Sequence, residues 1–254
     1  MGRLPNLFLA GFQKCATTSL FQSLVLHPDI SGPTRATGIG STIVPKEVQF
    51  FNLNFPRALE EYEAYFDGAQ SRYLIDGSPN YLCRGDVLAK LHEAIAAPRF
   101  IVSLRDPVSR LFSAWNHWQQ LPKHERWAIL RPGGSLRENI EAELSWLNPL
   151  DPVDGLVGTG LYGVHLERAL SLFSRDQFHV TTAEWLEDAY HGEIQRIFRF
   201  LELPERPVRS FRAHSRRSAE QERDPRLERF LRDFYREDHD RLRNLLAAEI
   251  PWPR

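Results

Sequence analysis

Between the first apolar run of the chain, Leu4 to Ala10, and its first helical pattern lies Gly11-Phe-Gln-Lys14-Cys-Ala-Thr17-Thr18-Ser19. A turn from strand to helix aims backbone N–H groups and the positive helix end at one point, which suits a phosphate. Lys14 adds a mobile positive charge, and Thr17 and Thr18 add hydroxyl donors. An ordinary turn with threonine N-caps has the same composition. The spacing is not that of a Walker A loop, which sets its lysine directly after a glycine and follows it with a Ser or Thr for magnesium. Here Lys14 comes earlier and no glycine stands beside it, so a kinase or nucleotide hydrolase fits poorly.

A second anion site is offered by Arg105-Asp-Pro-Val-Ser-Arg110-Leu-Phe-Ser113-Ala-Trp115, which follows the apolar run Arg99 to Leu104. Pro107 suits the first position of a helix. An arginine at a strand's end and a serine about two turns into the next helix can converge on one phosphate, with the guanidinium gripping two oxygens. Alternatively, Arg105 pairs with Asp106 or another nearby acid and Ser113 is a small buried residue. The only lysines are Lys14, Lys46, Lys90 and Lys123, all other basic residues being arginine. A GC-rich genome produces that bias. It also draws attention to each lysine, because a compact ammonium suits a transferring group.

The elements that must position these residues alternate. Short apolar strands are expected at 4–10, 73–76, 99–104 and 177–181, and helices at 17–26, 57–66, 87–97, 107–120, 136–147, 162–173, 193–201 and 223–248. Residues 31–45 and 121–135, rich in Gly, Pro and polar types, read as loops. Strands alternating with helices imply an α/β fold with a short parallel sheet covered on both faces, whose ligands sit at the carboxyl ends of the strands. The 254 residues, 42% of them hydrophobic, suffice for one sizeable core, so a single domain over 1–254 is expected, with the helix at about 223–248 packing on it.

A formal net charge of −1 gives no bulk field that argues for nucleic acid or a membrane. Two cysteines, Cys15 and Cys83, are too few for a disulfide framework and fit a reduced compartment. The N-terminal apolar run is too short and wrongly flanked for a signal peptide, and no stretch reaches the 18 apolar residues of a membrane-spanning helix. A cytoplasmic location is the expectation. Oligomeric state is not legible.

Taken together, K-x-[GA]-T-[TS] near the start and R-D-P-x-x-R-x-x-S about ninety residues on resemble the sulfotransferases that use 3′-phosphoadenosine 5′-phosphosulfate (PAPS). Pro45-Lys46-Glu47-Val48-Gln49-Phe50-Phe51 resembles the K-E-x-x-F-F segment of the heparan sulfate and related carbohydrate branch, and Asp76-Gly77-Ser78-Pro79-Asn80-Tyr81 its K-[ST]-P-x-Y segment. Gly160-Leu161-Tyr162 and Glu184-Trp185-Leu186 also match the family's pattern. The likeness covers residues 4 to 203 and is weaker beyond.

The resemblance implies a P-loop-like three-layer fold and in-line sulfuryl transfer to a hydroxyl or amine of a carbohydrate or small-molecule acceptor. The donor would be PAPS, the product 3′,5′-adenosine bisphosphate, and no metal would be required. It implies that Lys14, Cys15, Ala16, Thr17, Thr18 and Ser19 surround the phosphosulfate, with Lys14 near the bridging oxygen. Arg105 and Ser113 would hold the 3′-phosphate, and Tyr162 could stack near adenine or simply be buried. Glu47 would be the general base, or else a solvated acid paired with Lys46, and Lys46 would assist with charge. Arg216 and Arg217 would close over the phosphates, or form a solvated basic loop. Three departures stand out, one of them the run Ala213-His214-Ser215-Arg216-Arg217-Ser218 in place of the family's K-G-R-like C-terminal segment. Ala16 replaces a common glycine, and Gly77 stands where many carbohydrate enzymes carry a catalytic lysine, so some other cation must serve. An ATP-dependent P-loop phosphotransferase and a non-catalytic nucleotide-binding relative are the competing readings.

Overall fold

The structure, a computed structural model, describes residues 3–35, 45–53, 58–120, 134–211 and 224–253. The chain divides into two compact units. One comprises Met1–Leu104 with Ala169–Ala213, the other Arg105–Arg168 with His214–Arg254.

The first unit holds a parallel sheet of β1 (Leu7–Leu9), β2 (Ile30–Ser31), β3 (Tyr73–Asp76), β4 (Arg99–Leu104) and β5 (Phe178–Thr182), in the order β2-β3-β1-β4-β5. Leu7 pairs with Ile75 on one side and Arg99 on the other, so β1 is central. Successive side chains of a strand face opposite ways, and the sheet uses both faces. Leu7, Leu9, Ile75 and Ile101 pack with Leu20, Phe21 and Leu24 of α1 (Thr17–Leu24) and with Ile194, Ile197 and Phe198 of the helix Ala183–Phe200. Phe8 and Phe100, with ring centroids 5.7 Å apart, occupy the other face, where Phe178 stacks on Phe100 at 4.7 Å. That face is covered by the helix Gly85–Ala94, whose His92 meets Phe173 at 5.2 Å, and Phe173 in turn meets Phe100 at 4.9 Å. The result is the three-layer α/β arrangement expected from the alternation of elements.

Among the described residues the remaining α-helices, in chain order, are α2 (Phe50–Leu53), α3 (Leu59–Glu63), α4 (Gly85–Ala94), α5 (Pro107–Trp118), α6 (Leu136–Leu144), α7 (Tyr162–Leu170), α8 (Ala183–Phe200) and α9 (Pro225–Leu246). In the second unit, α5 and α9 share an apolar core with Ile140, Leu156, Val157 and Leu161. Buried polar groups organise the loop inside it. Glu143 of α6 accepts the backbone N–H groups of Leu156, Val157 and Gly158 at 2.7, 3.0 and 2.8 Å. Asp238 of α9 accepts those of Gly163 and Val164 at 2.8 and 2.9 Å, capping the start of α7. Burial pushes the Asp238 carboxyl up to about 6, against the pull of those two N–H donors. Among the described residues no helix is long and apolar enough to cross a membrane.

Several boundaries differ from those expected. The strand expected at 4–10 is Leu7–Leu9, with backbone bonds to the neighbouring strands continuing at Asn6 and Ala10, and β2 and α2 were not foreseen. The helix expected from 193 begins at Ala183 and carries a break at Ala189, whose φ of −138° and ψ of 49° are not helical. The expected loop 121–135 lies outside the described residues over 121–133.

Candidate functional site

The carboxyl end of β1 runs into the lysine loop. A Cβ on Gly11 would lie 2.8 Å from the backbone N and O of Ser103 on β4, so only glycine lets the loop cross the neighbouring strand so closely. Ser103 Oγ donates to the Cys15 carbonyl and ties the loop's far side to β4. From β3's side, Asn80 donates its N–H to the Gly11 carbonyl at 3.1 Å and accepts the Gln13 N–H on Oδ1 at 3.0 Å.

The loop held in this way is conformationally unusual. Lys14 and Ala16 have φ of 71° and 61°, left-handed values that cost a residue with a Cβ on the order of 1 kcal/mol each. Alternation of this kind turns successive N–H groups toward one concavity, as anion-binding nests do. The N-cap of α1 is Ala16, with no side-chain acceptor, rather than a threonine. The threonine-capped turn that the sequence also allowed is therefore not what forms. Thr17 and Ser19 are buried, Thr18 is exposed and Lys14 is half-buried. The Cys15 side chain is fully buried, which leaves only its backbone for a ligand.

Beside this loop runs the segment of Lys46 and Glu47. Gly77 N–H donates to the Lys46 carbonyl at 2.9 Å, Val48 N–H to Asp76 Oδ1 at 3.4 Å, and Gln49 N–H to Ser78 Oγ at 2.8 Å. Asp76 organises the junction. Its Oδ1 also accepts Ser78 N–H at 2.9 Å and Ser78 Oγ at 2.6 Å, while Oδ2 accepts the hydroxyls of Tyr62 at 2.6 Å and Tyr81 at 3.0 Å. Burial raises the Asp76 carboxyl above the usual carboxylate range, opposed by these donors, and burial beside Asp76 raises both tyrosines.

That frame brings Glu47 and Lys46 to the loop. Lys46 Nζ lies 2.8 Å from Glu47 Oε1 and 3.2 Å from Thr17 Oγ1, and Gln49 Nε2 donates to Glu47 Oε2 at 3.2 Å. The Lys46 side chain is 3% exposed and that of Glu47 is 19% exposed. Glu47 does pair with Lys46, but in a half-buried position rather than as a fully solvated acid. An acid held by a buried ammonium beside an anion cradle can accept a proton from a group presented to the cradle. Asp76, Ser78, Gln49, Asn80 and Ser103 were not singled out as site residues. An aspartate ending an apolar strand, with serine two residues on, was the available signal for the first two.

The remaining predicted residues lie in the second unit or outside the described residues. Arg105 directly follows the last residue of β4 and is half-buried, as is Ser113 on α5. The Asp106 carboxylate caps α5 by accepting Ser109 N–H at 2.7 Å and pairs with Arg232 of α9 at 3.2 Å. Arg110 is fully buried and donates to the Leu156 carbonyl. Tyr162 is 1% exposed, its ring 5.7 Å from that of Trp252, which favours packing over stacking on a base. Trp115 and Trp118 sit in the second unit's core. Arg216 and Arg217 lie outside the described residues.

Comparison with known proteins gives one consistent result. Residues 4–227 match the sulfotransferase domain family. Human heparan sulfate glucosamine 3-O-sulfotransferase 6 is 29% identical over 202 residues, covering 79% of this chain and 53% of that protein. Mouse bifunctional heparan sulfate N-deacetylase/N-sulfotransferase 4 is 28% identical over 204 residues, covering 78% of this chain and 22% of that protein. The chain thus spans about half the length, or less, of these relatives. Among solved structures, a sulfotransferase from Alicyclobacillus acidocaldarius superposes with a TM-score of 0.74 at 25% identity, with 98% of each chain covered.

Proposed function

The chain belongs to the sulfotransferase domain family, and from that premise we propose that it transfers a sulfuryl group from PAPS to a hydroxyl or amine of a carbohydrate or small-molecule acceptor. The observation that carries this reading is the chain of contacts from Glu47 Oε1 through Lys46 Nζ to Thr17 Oγ1, 2.8 and 3.2 Å, which joins an acid to the lysine loop within one unit. The left-handed turns at Lys14 and Ala16 and the N-cap without a side-chain acceptor suit the phosphate of such a donor.

PAPS supplies the sulfuryl group and carries away its bond electrons in the bisphosphate. The residues do the rest. The N–H groups of the loop and Lys14 hold the phosphosulfate and stabilise charge growing on the leaving phosphate oxygen. Glu47 accepts the acceptor's proton. Arg105 and Ser113 hold the 3′-phosphate, a role that rests on family likeness. Transfer of this kind, like phosphoryl transfer, depends on in-line positioning and charge stabilisation. A carbohydrate acceptor is favoured by the heparan sulfate relatives. Cys15 and Cys83, both buried and neither in a disulfide, are compatible with a reducing compartment such as the cytoplasm.

The experiment is thermal unfolding with nucleotides, joined to an assay of radiolabelled sulfate transfer to glucosamine-containing oligosaccharides and to aryl hydroxyls. Bisphosphate at a hundredfold over its Kd stabilises by about 2.7 kcal/mol, so it should raise the Tm. Magnesium ATP should not. Arg105→Ala should erase the preference for bisphosphate over 5′-AMP while leaving AMP affinity nearly unchanged. A Tm rise with magnesium ATP alone would replace this reading with the phosphotransferase one.

A further inference from the structure

We propose that Lys46 is the ammonium that binds the sulfuryl end of the donor and steadies it during transfer, and that Gly77 is small in order to admit it. The inference rests on the sulfotransferase reading above and adds a residue pair to it. A Cβ built on Gly77 would lie 2.6 Å from Lys46 Cγ, 3.2 Å from Lys46 Cε and 2.9 Å from Phe21 Cδ2. Cγ is near the root of the side chain and cannot swing aside as a flexible tip could. The Lys46 stem therefore lies across the Cα of Gly77, in the space that any side chain at 77 would need.

The stem's path explains where the charge ends up. The Lys46 backbone is fixed to the end of β3 by the 2.9 Å bond from Gly77 N–H, so the side chain has to leave over that glycine. It then buries four methylenes and presents Nζ to Thr17, the first residue of α1. Burying an ammonium is costly unless it is paired and hydrogen-bonded. Among the described residues Nζ has two acceptors, Thr17 Oγ1 and Glu47 Oε1, for three N–H donors. The third can go to an anion seated on the helix's first turn. An ammonium between the base and the loop touches both partners of the transfer. The sulfur–oxygen bond to the donor phosphate breaks, with its electron pair leaving on the bisphosphate. A bond forms from sulfur to the acceptor oxygen or nitrogen, and the acceptor proton goes to Glu47. Lys46 loses no proton. It offsets charge on the sulfuryl oxygens as the group crosses.

The test compares wild type with Lys46→Met, which keeps the stem's volume and removes the charge. It uses PAPS and bisphosphate as probes and follows both Kd values and the release of sulfate from PAPS to water, which needs no known acceptor. The expected result is a bisphosphate Kd within about threefold of wild type, PAPS affinity weakened at least tenfold and sulfate release slowed about a hundredfold. Lys46→Ala/Gly77→Lys supplies the control for position. With the stem removed, the remaining obstacle to a side chain at 77 is Phe21 Cδ2, 2.9 Å from its Cβ; once that ring shifts, sulfate release should recover at least tenfold over Lys46→Ala. Wild-type PAPS binding and cleavage in Lys46→Met would overturn the inference and leave the donor assignment standing. If wild type itself neither binds bisphosphate nor cleaves PAPS, the sulfotransferase reading falls, and this inference falls with it. Should Lys46→Met not fold, Lys46→Gln is compared with wild type by the same two Kd values and the same sulfate release, and wild-type PAPS binding and cleavage in that variant contradicts the assignment.

Discussion

Glu47→Gln lowers turnover by about two to four orders of magnitude, the usual contribution of a positioned general base, while bisphosphate binds nearly as it does to wild type. The substitution keeps the shape of the side chain and one carbonyl oxygen, which can still accept from Lys46 or Gln49, the partners found at 2.8 and 3.2 Å. It removes only the capacity to take a proton. It also leaves a 3%-exposed ammonium without its counter-charge, so the Tm of the unliganded protein should fall. The rise in Tm caused by bisphosphate separates the two effects, because a misfolded loop would lose it and a missing base would not. Full turnover in Glu47→Gln would remove Glu47 as the base.

Lys14→Ala comes second in size. Loss of one electrostatic contact to charge that develops in the transition state costs about 3 kcal/mol, roughly a hundredfold in rate. Lys14 sits in the loop at φ 71°, so the result has a backbone component that must be separated from the charge. Alanine bears the same left-handed strain as lysine, whereas glycine relieves it. Lys14→Gly should therefore be at least as stable as Lys14→Ala and equally slow. If glycine restored the rate, strain rather than charge would be what position 14 contributes.

Much of the fold was legible because its signals are local and strong. Tyr73–Asp76 and Arg99–Leu104 are the core of the sheet and carry apolar runs bounded by turn residues, and both strands form with the expected bounds. Pro107 marked the start of α5, which begins at that residue. What was missed is held by tertiary contacts. β2 is two residues long and exists through its pairing with Tyr73 and Leu74, which no periodicity can signal. The first half of α8 was passed over because the break at Ala189 interrupts the helical period. His27, three residues beyond the end of α1, is a packed residue. It is 1% exposed, with Nε2 3.1 Å from the Pro204 carbonyl and its ring 4.8 Å from that of Phe198.

The site divides in the same way. Lys14, Thr17 and Thr18 were found from residue type and spacing, since a strand, a turn and a helix suffice to make an anion cradle, whereas Cys15, Ala16 and Ser19 came from the resemblance. Glu47 came from resemblance alone, because one acid next to one lysine has no distinguishing pattern. The frame that places it could not be read in advance. Asp76, Ser78 and Gln49 act through a buried carboxylate, a serine bridge and a left-handed glutamine with φ of 54°. Ala16 was noted as a departure from glycine, and it takes the left-handed conformation all the same. Gly77 appeared as a missing lysine, and only the path of the Lys46 stem gives it a physical reason.

The central claim is that the turn from β1 to α1 is a cradle for the phosphosulfate end of a nucleotide and that Glu47 attends it. The most direct measurement is a crystal structure of the bisphosphate complex. The account predicts density for the 5′-phosphate on the backbone N–H groups of Ala16, Thr17 and Thr18, with Lys14 Nζ in hydrogen-bonding reach and the Glu47 carboxylate facing the side where the sulfuryl group would stand. A 5′-phosphate seated elsewhere, or a Glu47 side chain turned away from a correctly seated phosphate, would contradict it.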